Sequence, residues 1–280
     1  MNFVKMHGLG NDFVIVEVSS WEDADALQPH AKAVCDRNFG VGADGLIAIG
    51  RDLEMDVFMR IFNSDGSEPE MCGNGIRCVA RYVYEHHLVD KTSVSVRTLA
   101  GPIYPEVKVM DGQVVSITVD MGEPILSRAL IPMLGVGANV KVKASTVNGE
   151  FELTGVSMGN PHCVIFVTDI DKTPVALWGP ALETHQLFPA KTNVEFVQVI
   201  DRDEMIMRVW ERGAGITLAC GTGACATLVA AVLNGHTGRA ATIHLLGGDL
   251  FIEWKEQDNH IYMTGPATEV FSGRIELGQA

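Results

Sequence analysis

Positive charge is scarce in this chain: 21 Lys and Arg stand against 35 Asp and Glu in 280 residues, a formal net charge of -14. Nucleic acid and anionic membrane surfaces favour clustered Lys and Arg, so neither is expected as the main partner, and a small-molecule substrate is. Long apolar runs are also missing. No window approaches the roughly 20 apolar residues of a membrane span, and Met1-Asn2-Phe3-Val4-Lys5-Met6-His7 shows no basic segment followed by an apolar stretch, so the protein is expected to be cytoplasmic. Cysteine is sparse, at six residues, which is no disulfide framework in a chain this long; free thiols are expected. The spacings Cys72-x5-Cys78 and Cys220-x4-Cys225 lack the Cys-x-x-Cys pairs of structural zinc sites, so no metal is expected. A Gly-x4-Gly-Lys-Ser/Thr phosphate loop is absent, and nothing marks a lysine for pyridoxal phosphate. Gly40-Val41-Gly42-Ala43-Asp44-Gly45 fits the G-x-G-x-x-G pattern, but it follows a helix signal and precedes a strand signal, the reverse of a dinucleotide fold; it reads as a helix-to-strand turn. No cofactor is expected.

What the chain does contain is an internal repeat. Phe58-Met59-Arg60-Ile61-Phe62-Asn63 leads to Cys72-Gly73-Asn74-Gly75, and Ile206-Met207-Arg208-Val209-Trp210-Glu211 leads to Cys220-Gly221-Thr222-Gly223. Gly10-Asn11 and Gly159-Asn160 lie at nearly equal distances before the two cysteines, each followed by an apolar run. A repeat of this length means two similar domains.

Hydrophobic residues at 47% and charged ones at 20% suit a soluble globular protein with ordinary cores. Runs rich in Val, Ile and Phe, bounded by Gly, Asp, Asn or Pro, predict strands at 13–18, 46–49, 57–62, 94–98, 114–119, 164–167, 195–200, 206–210 and 250–253. Each half then predicts a long helix directly after its cysteine motif. Ile76, Val79, Ala80 and Val83 recur at helical spacing until His86-His87, and Leu228, Val229 and Val232 do so until Asn234-Gly235. Shorter helices are predicted over 29–38 and 175–183. The fold class is therefore α+β, with two pseudo-symmetric domains, each a mixed sheet around a central helix. The first is assigned to residues 1–119, with 264–280 returning to it, and the second to 120–263.

Cys72 and Cys220 each sit where a Gly-x-Gly turn delivers the chain into a helix. The free N-H groups and the dipole at that end favour an anion, so both thiols are expected to be acidified, and the same amides suit a substrate carboxylate. Two thiols on opposite walls of one pocket would perform a two-base proton transfer, one removing the α-proton and the other delivering a proton to the opposite face. Cys35, Cys78, Cys163 and Cys225 have no counterpart in the other half and read as buried core residues. The alternative from another class is a redox sensor in which Cys72 and Cys220 pair as a disulfide.

The run Lys5-Met6-His7-Gly8-Leu9-Gly10-Asn11-Asp12-Phe13 resembles the opening of the diaminopimelate epimerase family. The segments 63–67, 71–78, 158–163, 210–215, 219–224 and 262–267 resemble it too, in the family's order and over nearly the whole chain. The resemblance implies a cofactor-independent isomerase that interconverts LL- and meso-diaminopimelate, on the route to lysine and peptidoglycan, and a homodimer. It makes Cys72 and Cys220 the acid/base pair. Gly73-Asn74 and Gly221-Thr222 would hold the reacting carboxylate. Asn11, Asn63, Asn160, Asn193, Glu211 and Arg212 would fix the rest of the substrate, and His162 and Glu211 would influence thiol protonation. One departure is visible: some members place a glutamine contact where this chain has Gly45. The nearest rival is a proline or hydroxyproline racemase of the same architecture.

Overall fold

A computed structural model describes residues 1–277; the final three residues of the segment assigned to return to the first half lie outside the described residues. The chain divides into two compact units, one formed by Met1–Asp120 with the segment from Thr264 onward, the other by Met121–Met263.

The first unit contains a seven-stranded mixed sheet in the order Thr268–Arg274, Asn2–Gly8, Asn11–Glu17, Gly45–Arg51, Val57–Asn63, Val96–Thr98, Gly101–Ile103. Its interior strands are nearly continuous apolar runs, buried on both faces, as in Leu46, Ile47, Ala48 and Ile49. A hairpin, Glu106–Met110 with Gln113–Asp120, turns at Asp111 and Gly112, whose φ values of 51° and 77° are those of a type I′ turn. Helix α1 (Ala31–Cys35) is short. Helix α2 (Gly73–Glu85) packs on both the sheet and the hairpin and buries Ile76, Cys78, Val79, Ala80 and Val83 completely.

The second unit repeats the plan. Its strands run in the order Ile261–Gly265, Gly248–Trp254, Ala240–Leu245, Glu204–Glu211, Asn193–Val199, Pro161–Phe166, Gly149–Ser157, Val142–Thr146. Helix α3 (Val175–Glu183) lies on Asn193–Val199 and Glu204–Glu211. Helix α4 (Gly221–Leu233) touches six of the strands, and its Ala-, Val- and Leu-rich sequence is buried on nearly every side, as a central helix requires.

The parallel pairs place the halves in the same register: Phe13 opposes Gly45 in the first unit and His162 opposes Asn193 in the second. The helix expected over 29–38 is interrupted. A 3-10 turn, Gln28–His30, precedes α1, and Asp36 ends it by taking up extended geometry and accepting from the N-H groups of Asn38 and Phe39 at 2.8 Å each. No helix is long and apolar enough to cross a membrane among the described residues.

Candidate active site

Both cysteines of the repeat are the residues immediately before their helices, and their backbones match: φ -139°, ψ 117° at Cys72 and φ -129°, ψ 105° at Cys220. The second glycine of each motif is closely packed. A Cβ on Gly75 would lie 3.1 Å from Cδ1 of Ile47, and one on Gly223 would lie 2.8 Å from Oε1 of Glu195 and 3.1 Å from Sγ of Cys220.

In the first unit Asn11, Cys72, Gly73 and Asn74 gather around the start of α2. Oδ1 of Asn11 accepts from Nδ2 of Asn74 at 3.0 Å and lies 3.9 Å from Sγ of Cys72, while its own Nδ2 donates to Asp44 at 2.8 Å. Asp44 is held by Arg37, which also bridges to Asp12; Lys5 pairs with Asp12 at 2.6 Å. Although burial acts to raise it, hydrogen bonds from Arg37 and Lys5 hold the Asp12 carboxyl down at about 2. Beneath Asn74, the fully buried Arg77 donates to its Oδ1 at 2.8 Å and to the Gly73 carbonyl at 3.1 Å, so the first turn of the helix is braced from inside. Asn63 ends its strand, its amide donating to Ser67 at 2.9 Å. Gly45 is closely packed: a Cβ there would lie 3.2 Å from the Phe62 carbonyl and 3.3 Å from the Phe13 ring.

The second unit gathers Asn160, His162, Glu195, Thr222 and Cys220. Nδ2 of Asn160 donates to Oγ1 of Thr222 at 3.3 Å, the counterpart of the link between Asn11 and Asn74. His162 places Nε2 3.0 Å from Oδ1 of Asn160 and Nδ1 2.7 Å from Oε1 of Glu195. Asn193 accepts from the backbone N-H of Arg212 at 2.9 Å and donates to the Pro161 carbonyl at 3.0 Å, fixing the corner where Glu211 and Arg212 leave the sheet. The Arg212 side chain is exposed, with Nη1 3.3 Å from the Ala190 carbonyl, and Glu211 accepts from the Thr217 hydroxyl.

Cys220 overturns the expectation that both thiols are acidified. Its residue is only 6% exposed, and burial pushes the thiol well above its ordinary value; the carboxylates of Glu211 and Glu195 add to that rise. The Thr222 hydroxyl and the Gly223 N-H, 3.4 Å from Sγ, pull the other way without cancelling it. At this helix start, desolvation and two carboxylates of like sign to a thiolate act against the dipole. Burial likewise raises Cys35 to about 11 and Cys78 to about 12, as suits core residues. Since Cys72 is partly exposed and Cys220 is neither exposed nor acidified, iodoacetamide at neutral pH is expected to label Cys72 well ahead of Cys220, with the Cys220 rate rising as pH increases. Peptide mass spectrometry over a time course reads the order, and earlier labelling of Cys220 would contradict it.

Sequence reasoning missed Glu195 and Asp44. Glu195 carries a legible signal, a carboxylate inside the apolar strand Asn193-Val194-Glu195-Phe196-Val197, where an unpaired charge is unfavourable. Asp44 stood inside a glycine-rich stretch and carried none.

A sequence profile of the family described as diaminopimelate epimerase matches residues 3–127 and 154–270. The diaminopimelate epimerase of Heliobacterium modesticaldum is 56% identical over 282 residues, covering 99% of this chain and 100% of the relative. That of Moorella thermoacetica is 56% identical over 278 residues, with coverage of 99% and 100%. Among solved structures, a phenazine biosynthesis protein of the PhzF family from Bacillus anthracis superposes with a TM-score of 0.70 at 17% identity, covering 98% of this chain and 99% of that one. A probable proline racemase from Agrobacterium radiobacter gives 0.70 at 14% identity, with coverage of 99% and 93%. These two likenesses establish a shared α+β fold; the close relatives and the profile establish more. The chain belongs to the diaminopimelate epimerase family.

Proposed function

We propose that the protein interconverts LL- and meso-2,6-diaminopimelate by a two-base proton transfer at the α-carbon, with Cys72 and Cys220 as acid and base. The observation that carries this reading is the matched pair of cysteines, each capping a helix with the same extended backbone, in a chain 56% identical to diaminopimelate epimerases. Sγ of one cysteine, as thiolate, takes the α-proton. The S-H of the other gives its proton to the opposite face, so one C-H bond breaks, another forms, and the two sulfurs exchange protonation states.

The reaction builds up negative charge at the α-carbon and its carboxylate. The N-H groups of Gly73-Asn74 and Gly221-Thr222, at the starts of α2 and α4, stabilise that charge as oriented dipoles. Asn11, Asn63, Asn160 and Asn193 orient the substrate, Glu211 meets an ammonium group, and Arg212 meets the distal carboxylate. Glu211 and His162 tune the Cys220 thiol. The acidic balance of the chain supports a small-molecule substrate over nucleic acid. The proposal includes two domains acting as the halves of one enzyme, a cytoplasmic setting, and a homodimer, which sedimentation equilibrium would read as twice the chain mass.

The experiment is a side-by-side assay of α-proton exchange on LL-diaminopimelate and L-proline with the reduced protein. Exchange on diaminopimelate is expected. Exchange on proline alone would replace this reading with that of a racemase, and no exchange on either substrate by the reduced protein would favour the redox sensor.

A further inference from the structure

Glu195 belongs to no step above, yet it lies against the Cys220 motif. Its side chain and that of His162 are both 0% exposed, 2.7 Å apart, and the second carboxylate oxygen, Oε2, is buried without a hydrogen-bond partner. Burying such a pair is unfavourable compared with apolar side chains of similar volume.

The first unit shows that the scaffold itself does not need the pair. Since Phe13 opposes Gly45 as His162 opposes Asn193, the residues two positions further on, Ile47 and Glu195, are equivalents. Ile47 abuts Gly75 as Glu195 abuts Gly223. One frame is thus filled by Phe13 and Ile47 in one half and by His162 and Glu195 in the other.

What the polar pair adds is orientation. Nδ1 of His162 faces a carboxylate oxygen and Nε2 faces the Asn160 amide oxygen at 3.0 Å, so a proton lies in each contact. With its oxygen engaged by His162, Asn160 turns its NH2 group to Thr222, whose Oγ1 is 3.6 Å from Sγ of Cys220. A bare Nε2 would instead demand the NH2 group, and the amide would present its oxygen to Thr222. Asn11, the repeat counterpart, is fixed in the opposite sense: Asp44 takes its NH2 group, and its oxygen faces Asn74 and Cys72.

The geometry points to Glu195 as a positioning residue of the epimerisation, one that acts through His162 to hold the Asn160 NH2 group toward Thr222 and the Cys220 thiol. The two matched asparagines then offer opposite ends to the two cysteine motifs, and in each half a carboxylate decides which. This inference rests on the assignment of Cys220 and Asn160 to the reacting site.

The test has two arms. In E195Q, kcat/KM on diaminopimelate is expected to fall on the order of tenfold to a hundredfold, by analogy with the loss when a carboxylate that orients a metal-bound histidine is removed. H162Q is expected to show a similar loss, and the double variant no further one, because Glu195 acts only through the ring. The second arm needs no variant to fold: nitrogen-15 NMR of the unmodified, histidine-labelled protein is expected to show Nε2 of His162 bonded to hydrogen. Activity of E195Q within about twofold of the unmodified protein, losses that multiply in the double variant, or a bare Nε2 would each overturn the inference. Inactivity of the unmodified protein toward diaminopimelate would instead remove the functional reading, while the NMR result stands apart from turnover.

Discussion

Replacing either Cys72 or Cys220 by alanine is expected to lower epimerisation of diaminopimelate by at least a hundredfold to ten-thousandfold, in both directions of reaction, with the fold retained. The size follows from the division of labour. Inversion needs a base on one face of the α-carbon and an acid on the other, so neither sulfur can stand in for its partner, and water reaches the vacated position without the placement that a fixed side chain provides. Both cysteines hold extended positions immediately ahead of a helix, Cys72 half-buried and Cys220 buried, so alanine at either keeps the helix that carries Ile76 and Val79, or Leu228 and Val229. Initial rates from each stereoisomer, with circular dichroism as the control on folding, measure the effect. Substantial turnover in either variant would show that a single base does the work.

Arg212→Met is expected to produce the second large effect, a fall in kcat/KM of about thirtyfold to several thousandfold, equivalent to the ~2–5 kcal/mol lost when one partner is removed from a hydrogen-bonded charge pair that binding buries. The backbone of Arg212 is fixed by the Asn193 amide at 2.9 Å, while its guanidinium is exposed and donates to the Ala190 carbonyl at 3.3 Å. A planar fork with unspent donors suits a carboxylate, and Arg212→Lys is expected to restore only part of the loss because an ammonium group cannot bind in a bidentate manner. Steady-state kinetics on diaminopimelate and on an analogue lacking the distal carboxylate separate this role from a general defect: the variant should lose its preference between the two. An undiminished preference would remove Arg212 from the distal end.

Much of this was legible in the sequence because the repeat marks it. Two copies of a strand, a cysteine and a Gly-x-Gly turn locate the helix starts, and α3 spans 175–183 as its apolar pattern predicts. The strands at Val142–Thr146 and Gly149–Ser157 escaped, since Lys143, Ser145, Glu150 and Glu152 interrupt the Val, Ile and Phe runs on which strand signals depend. The acidity expected of Cys220 was the larger error. Helix position is local and readable, whereas the burial of Cys220 and the approach of Glu195 and Glu211 depend on how the neighbouring strands pack around the motif. The asymmetry between the halves had the same origin: Ile47 and Glu195 become equivalents only when the strand register is known.

The most direct test of the two-cysteine account follows hydrogen at the α-carbon. LL-diaminopimelate incubated with the reduced protein in deuterated water, and sampled by NMR early in the reaction, should give meso product carrying deuterium at the inverted carbon while the remaining LL isomer keeps its hydrogen, because the sulfur that delivers a proton is not the one that received the substrate's. Product that retains the substrate hydrogen would contradict the account, since it would mean that one base both takes and returns the proton.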